Sequence, residues 1–385
     1  MNQQRLRAAV GAGMFGTTAV AFLRAPLLPD MGRDLGLTAL GLGALGSVFA
    51  LGRLAADFPA GRLTERARPG MMMAVAAAAV GLGSVGMGLA PSALLAFIAS
   101  FVLGVGSSWT MTTSMAVFAG APRRRRGLSM SIFSGALLAG QSLGPTAGGF
   151  LAAAWDWRVA LVAGGGVSAF LVLPFVRFPG PVPTPHVTDP TAEPHTSPRR
   201  GVLLTLYLLP AVQFSIGAAA VQTILPIAGG DELGLGAAVI GLALGVGGLA
   251  RFVGAVAAGW VADRHGRKWA LIPGLGIQFG GLVIMALGDG IWAWWAAILG
   301  LTLGSVAVNI GSTMLADLHE GQGMGHRLGA FRFTGDLAFM VTPLIAGALY
   351  ELDGRALSTL PMLLLTGAVL VASVVVLPET LRRST

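Results

Sequence analysis

The second half of this 385-residue chain repeats the first at a constant offset of 198, with no gap required. Arg53 falls on Arg251, Gly61 on Gly259, Gly106 on Gly304, Pro145 on Pro343 and Gly149 on Gly347. Residues 34–37, Asp-Leu-Gly-Leu, return at 232–235 as Glu-Leu-Gly-Leu. Solenoid repeats run to roughly 20–50 residues, so a unit of this length is a domain and not a stacking element. Whatever the first half folds into, the second must be able to fold into as well.

Composition identifies the solvent of that fold. Hydrophobic residues make up 54% and charged residues 11%, where a soluble domain carries about 25% charged residues. Two related halves in so apolar a chain point to a bilayer protein with its site where the halves meet. The 58 glycines suit helices that associate in lipid through close contact of small residues. The absence of cysteine excludes disulfides and thiolate metal sites. Arg5 and Arg7 before an apolar run imitate a signal peptide. Arg24, Pro26 and Pro29 do not make a cleavage site, so we read a first spanning helix instead.

A spanning helix needs ~20 apolar residues. Twelve stretches qualify: 8–28, 39–60, 70–90, 92–119, 128–152, 158–176, 202–227, 237–258, 269–288, 291–316, 328–350 and 357–377. With the N-terminus inside, 18 of the 25 Lys and Arg fall in inner segments, three (Arg33, Arg158, Arg355) in outer loops and four within spans. That bias predicts a multi-pass protein of the inner (plasma) membrane with both termini cytoplasmic. The four arginines at 123–126 then act as a topology anchor; despite a net charge of +8, no nucleic-acid partner is expected. Residues 177–200 contain seven prolines and read as a polar linker. They divide the chain into an N-terminal bundle (1–176) and a C-terminal bundle (201–385). His186 and His195 in the linker read as solvated side chains and not as a metal site. Trp292, Trp294 and Trp295 at the head of the tenth span read as an interfacial belt.

Residues 259–268 read Gly-Trp-Val-Ala-Asp-Arg-His-Gly-Arg-Lys. This matches the loop Gly-x-x-x-Asp-Arg-x-Gly-Arg-Lys at every fixed position, and here the sequence resembles the major facilitator superfamily. The copy after the second span is degenerate: Glu65 stands for the aspartate, Arg66 is kept, and Arg68 stands where glycine is expected. Residues 140–149, Gly-Gln-Ser-Leu-Gly-Pro-Thr-Ala-Gly-Gly, resemble the Gly-x-x-x-Gly-Pro-x-x-Gly-Gly motif of that superfamily's proton-coupled drug and metabolite antiporters, the twelve-helix exporters. The resemblance implies an all-α membrane fold of twelve transmembrane helices in two pseudo-symmetric six-helix bundles. It implies an inner-side latch at Glu65, Arg66, Asp263, Arg264 and Arg267. Gly61, Gly259 and Gly266 would allow close helix ends, and Gly140, Gly144, Pro145, Gly148 and Gly149 a bent, closely packed fifth span. Two features depart from the exporter pattern: Ser100 occupies the place of an arginine in the fourth span, and the first span carries Arg24 where a carboxylate is often seen.

Two glycine patterns, at 41–46 and 81–86, match Gly-x-Gly-x-x-Gly but lie inside spans, where no βαβ unit exists to make a dinucleotide site. No Walker motif, metal cluster or nucleophile–base set is visible, so neither an enzyme nor a cofactor is expected.

Six ionisable residues fall within spans: Arg24, Arg53, Asp57, Arg251, Arg332 and Asp336. Each costs at least about 2.5 kcal/mol near a helix centre and is a functional candidate. Arg53 and Arg251 lie eight residues before Gly61 and Gly259, about 12 Å in at 1.5 Å per residue. They are expected to face each other and hold an anionic group of the solute, as guanidinium forks suit carboxylate and phosphate oxygens. Nitrate and organophosphate carriers of the superfamily resemble this arrangement. Arg24, Trp109, Thr113, Gln141, Gln213, Gln222 and Asn309 complete the expected pocket. Asp57 and Asp336 each follow an arginine (Arg53, Arg332) by four residues, and this set is expected to gate the inner side or to carry the coupling proton.

The expectation is a monomeric, proton-coupled exporter of a small anionic or zwitterionic solute, with the bilayer and protons as its other partners. Alternatives are a uniporter or exchanger of small anions, an exporter of cationic drugs, or a sensor or scaffold with the same fold.

Overall fold

The computed structural model describes residues 3–64, 67–121, 126–177, 200–318 and 324–380. Glu65, Arg66, residues 122–125 and most of the linker, with His186 and His195, lie outside the described residues. No strand occurs among the described residues. Among the described residues, ten helical segments are long and apolar enough to cross a membrane. Their outer faces are apolar: Leu82, Leu94, Phe170, Leu173, Leu364 and Val371 all stand exposed. In water such a surface would drive aggregation, whereas in hydrocarbon it is the solvated face.

Packing divides the chain into two compact units, Met1–His186 with Gly229–Gly248, and Val187–Ala228 with Leu249–Thr385. In the first unit α1 (Gln3–Phe22) stops at a turn, followed by a 3-10 turn (Ala25–Leu27) and α2 (Leu28–Leu35). Then come α3 (Ala39–Thr64), α4 (Pro69–Gly88), α5 (Ala93–Ala119), α6 (Arg126–Ala154) and α7 (Trp157–Arg177). α4 lies between α5 and α7, α3 packs on α5, and α1 packs on α6. Glycine makes the α3–α5 contact possible: a Cβ on Gly104 would fall on the Phe49 carbonyl and within 3.1 Å of the Arg53 nitrogen. At one end of the unit Leu6, Val10, Met14, Met73, Phe118, Phe133 and Phe175 form a buried cluster.

In the second unit α8 (Arg200–Ser215) runs into a π-helical stretch (Ile216–Ile224) and α9 (Leu225–Asp231). The Leu225 N–H bonds the Ala220 carbonyl, five residues back, which is the π pattern. α10 (Ala237–Arg264) begins in the first unit and continues in the second. α11 (Arg267–Leu287), α12 (Gly290–Leu303), α13 (Ala307–Asp317) and α14 (Met324–Val375) follow. α14 leaves helical geometry at Asp353 and Gly354, where Gly354 has φ 60°.

Both units close the C-terminal end of a helix with an arginine from a later helix. Arg158 Nη1 donates to the carbonyls of Ala90 (2.8 Å) and Gly88 (3.3 Å) at the end of α4. Arg355 Nη1 donates to the Gly288 carbonyl (2.9 Å) at the end of α11. A cation there satisfies orphan carbonyls and complements the helix dipole. These arginines therefore do structural work where only outer-loop charge was expected.

The tenth span, expected as one helix over 291–316, breaks between α12 and α13. Ser305 N–H bonds the Thr302 carbonyl (3.1 Å) instead of reaching back to Leu301. The freed Leu301 carbonyl accepts from Gln278 Nε2 of α11 (3.1 Å). Trp294 is also corrected. It is 1% exposed and donates to the Leu225 carbonyl (2.8 Å), while Trp292 is 84% exposed. Alternate sides of one helix face core and surroundings, so only part of the aromatic group can sit at an interface.

Candidate functional site

Arg24 sits at the break after α1 and is 7% exposed. Its Nη1 donates to Ser100 Oγ of α5 (3.0 Å) and to the Leu45 carbonyl of α3 (3.4 Å), and its guanidinium lies 4.4 Å from the Phe49 ring centroid. Ser100 Oγ itself donates to Leu45 O (2.8 Å). Among the described residues all these partners are neutral and belong to the first unit. Arg24, expected to touch solute, is thus a tie inside a bundle, because a buried guanidinium takes the nearest acceptors and an aromatic face. The guanidinium that reaches Ser100 comes from the turn that follows α1.

Arg53 and Asp57 are partly buried, one turn apart on α3. Ser108 Oγ of α5 donates a hydrogen bond to Asp57 Oδ1, a partner the sequence reading did not name. Thr113, expected in the pocket, is 1% exposed. It shares a face of α5 with Thr110 and Gly106, and a Cβ on Gly106 would lie 2.6 Å from Val80 N of α4. That face is therefore turned into the bundle. Trp109 is partly buried, its indole N–H without a hydrogen-bond partner among the described residues, and Gln141 is partly buried on α6.

The glycine motif of α6 packs on two helices. A Cβ on Gly140 would lie 2.7 Å from Phe15 O, and one on Gly144 or Gly148 would fall on the Ala19 or Leu23 carbonyl, all along α1 and its end. A Cβ on Gly149 would fall on Ala237 O, and one on Gly241 would lie 2.5 Å from Pro145 O, so α6 also meets the start of α10.

In the second unit Arg251 is partly buried on α10, and Arg332 and Asp336 are partly buried one turn apart on α14. Gln213 turns toward the α12–α13 break: its Nε2 donates to Ser305 Oγ (2.6 Å), and its Oε1 is buried with no hydrogen-bond partner among the described residues. Gln222, the counterpart of Arg24 at offset 198, lies partly buried in the π stretch.

Residues 259–264, expected as a loop, continue α10; only His265 and Gly266 separate it from α11. Gly266 has φ 123°, and a Cβ there would strike the Glu379 carboxylate. That carboxylate accepts from the first N–H groups of α11, Arg267 N (2.8 Å) and Lys268 N (3.2 Å), placing an anion at a helix N-terminus. Arg267 donates through Nη1 to Asp263 (2.7 Å) and through Nε to Asp317 (3.3 Å), and Thr380 also bonds Asp317 (3.1 Å). Arg264 stacks on Trp260 at 4.5 Å. Sequence reasoning missed Glu379 and Asp317, whose only signal was acidity near helix ends.

Gly259 is corrected too. A Cβ there would meet nothing within 4 Å, so close packing does not explain it. It borders a cavity of about 250 Å³ between α10 and α13, reached by Ala255, Asp263, Arg267, Val306 and Asn309 among others. No cluster of metal-binding side chains occurs among the described residues.

The sequence profile of the Major Facilitator Superfamily matches residues 10–306 and, a second time, 211–384. YceJ of Bacillus subtilis, an uncharacterized MFS-type transporter, is 27% identical over 271 residues, 68% of each chain. The multidrug resistance protein Stp of Mycobacterium tuberculosis is 27% identical over 174 residues, 44% of this chain and about a third (32%) of Stp. In fold, a bacterial homologue of the human lysosomal transporter Spinster, in an inward-facing and occupied conformation, matches with a TM-score of 0.75 over 96% of both chains at 12% identity. The chain belongs to the Major Facilitator Superfamily, and is a membrane transporter and not an enzyme.

Proposed function

We propose that the chain is a carrier that exports a small anionic or zwitterionic organic solute by alternating access, against protons moving inward. The observation that carries this reading is the pair Arg53 and Arg251. Both are partly buried in apolar helices, and both survive the duplication. A guanidinium kept at such depth in both halves suits an acid group on the solute. Asp57, with Ser108 as hydrogen-bond donor, and Asp336, one turn from Arg332, are the carboxylates available for proton coupling. Antiporter-like glycines in α6, packed on α1 and α10, and the similarity to Stp support export. Counting α6 and both arms of α14 beside the other nine segments makes twelve crossings. We read residues 177–200 as the cytoplasmic linker between the halves, and the chain as a monomer of the inner membrane with both termini inside.

The test is flux of a solute panel from proteoliposomes with and without a pH gradient. Organic acids or zwitterions should be driven by the gradient. Arg251→Gln should cut their flux at least about tenfold, the loss of one charge-assisted contact. Asp57→Asn should remove the gradient dependence. Intact flux in Arg251→Gln overturns the anchor, and flux indifferent to the gradient makes the chain a uniporter or exchanger.

A further inference from the structure

The cavity in the second unit has a place in the repeat. Ala255 and Val306, on its opposite walls, are the counterparts at offset 198 of Asp57 and Ser108. In the first unit those side chains meet in a hydrogen bond and bridge α3 to α5. In the second a methyl and an isopropyl stand there, and space is left open.

This is not a dry packing void. Empty cavities are apolar, whereas Asn309, Thr313, Asp263 and Arg267 reach this one. Among the described residues the Asn309 side-chain amide makes no hydrogen bond; only its backbone carbonyl is used, by Ser312 and Thr313. Charge is ordered along the α10 wall. Asp263, with its side chain 74% exposed, stands at the mouth. The wall then passes Ala262, Ala258 and Ala255, and about 6 Å further on the same face, at 1.5 Å per residue, comes Arg251. At the mouth a simple anion meets Asp263 and Asp317 against one Arg267. A small molecule that carries an ammonium and a carboxylate side by side matches the order, with the ammonium turned to the mouth and the carboxylate turned inward. At about 250 Å³ the space is smaller than the ~300–1,000 Å³ of drug-sized pockets, which restricts it to a small solute.

We propose that this cavity is a loading site for a small zwitterion of the amino-acid class. The ammonium lies beside Asp263, the carboxylate bonds the Asn309 amide and points toward Arg251, and the apolar side chain rests on Ala255, Ala258 and Ile310. The proposal rests on the reading of Arg251 as an acid-group anchor, and it names the solute class of that carrier.

The experiment is binding of leucine to the purified full-length protein by saturation-transfer NMR, with leucinamide and N-acetylleucine as single-charge analogues. Leucine binds, and each analogue is weaker by about tenfold or more, the loss of one charge-assisted contact. Ala258→Leu fills the cavity and weakens leucine at least about tenfold by excluding its side chain. Asn309→Ala, at an exposed position, keeps the test valid should the larger residue disturb folding, and it too weakens leucine. Arg251→Gln retains leucine binding at the cavity and loses transport. Transport intact in Arg251→Gln, with leucine binding still lost in the cavity variants, removes the anchor and leaves the loading site. Three results overturn the proposal: none of the three compounds binds, both cavity variants bind leucine like the wild type, or N-acetylleucine binds as well as leucine.

Discussion

Arg24 shows how a buried charge is held without a counter-charge among the described residues. Its hydrogen-bonding partners are a hydroxyl and a carbonyl, and Phe49 supplies an aromatic face. Removing one partner of a buried polar group costs about 1–3 kcal/mol, whereas replacing both sides by apolar groups of like shape can be neutral or better. Ser100→Ala should therefore lower stability by about 1–3 kcal/mol, while Arg24→Met together with Ser100→Ala should recover most of that loss. Thermal unfolding of the four proteins of this cycle measures the coupling, and simple additivity would contradict the tie. The sequence marked Arg24 as an intramembrane charge but could not assign its partner. Ser100 lies 76 positions away, and the meeting depends on where α1 stops.

At the scale of elements, apolar stretches of about 20 residues located the helices, and they failed where a helix changes pitch or direction. The α12–α13 break has no proline to announce it; its markers are Gly304 and Ser305 beside a buried amide on another helix. Gln278 is 0% exposed and could have been noted as a polar residue inside an apolar span. Gln278→Leu leaves the Leu301 carbonyl without its donor, so the unfolding midpoint should fall, by a free energy of about 1–3 kcal/mol. An unchanged midpoint would mean the break straightens and Ser305 N–H takes that carbonyl. Thr113 was misassigned for a related reason. Its spacing from Gly106 and Thr110 puts it on the packed face of α5, and that pattern was present in the sequence but outweighed by the residue's polarity. Residues 259–264 match a loop motif, yet they continue α10, and charge at a helix end is compatible with continued helix.

At the scale of the whole molecule, the duplication can be followed from contact to contact at the offset of 198. The halves share glycine contacts and arginine-capped helix C-termini, and they diverge at the carboxylate–hydroxyl bridge of the first, where the second keeps a cavity. The described chain contains no cysteine, so topology can be tested with single introduced thiols. Arg33→Cys should react with a membrane-impermeant maleimide in intact cells, and His186→Cys only after the cells are opened. The opposite pattern would invert the arginine-based orientation.

The first and seventh spans share an offset, but they do not share a pitch. Near Arg24 the chain tightens into a 3-10 turn, and near Gln222 it relaxes into nine residues of π-helix. Tightening advances the azimuth of every later side chain relative to an ideal α-helix, and loosening retards it. One span is thus overwound and the other underwound at these points, so residues that correspond in number no longer point the same way about their own axes. Homology within this chain is a guide to depth, and a poor guide to bearing.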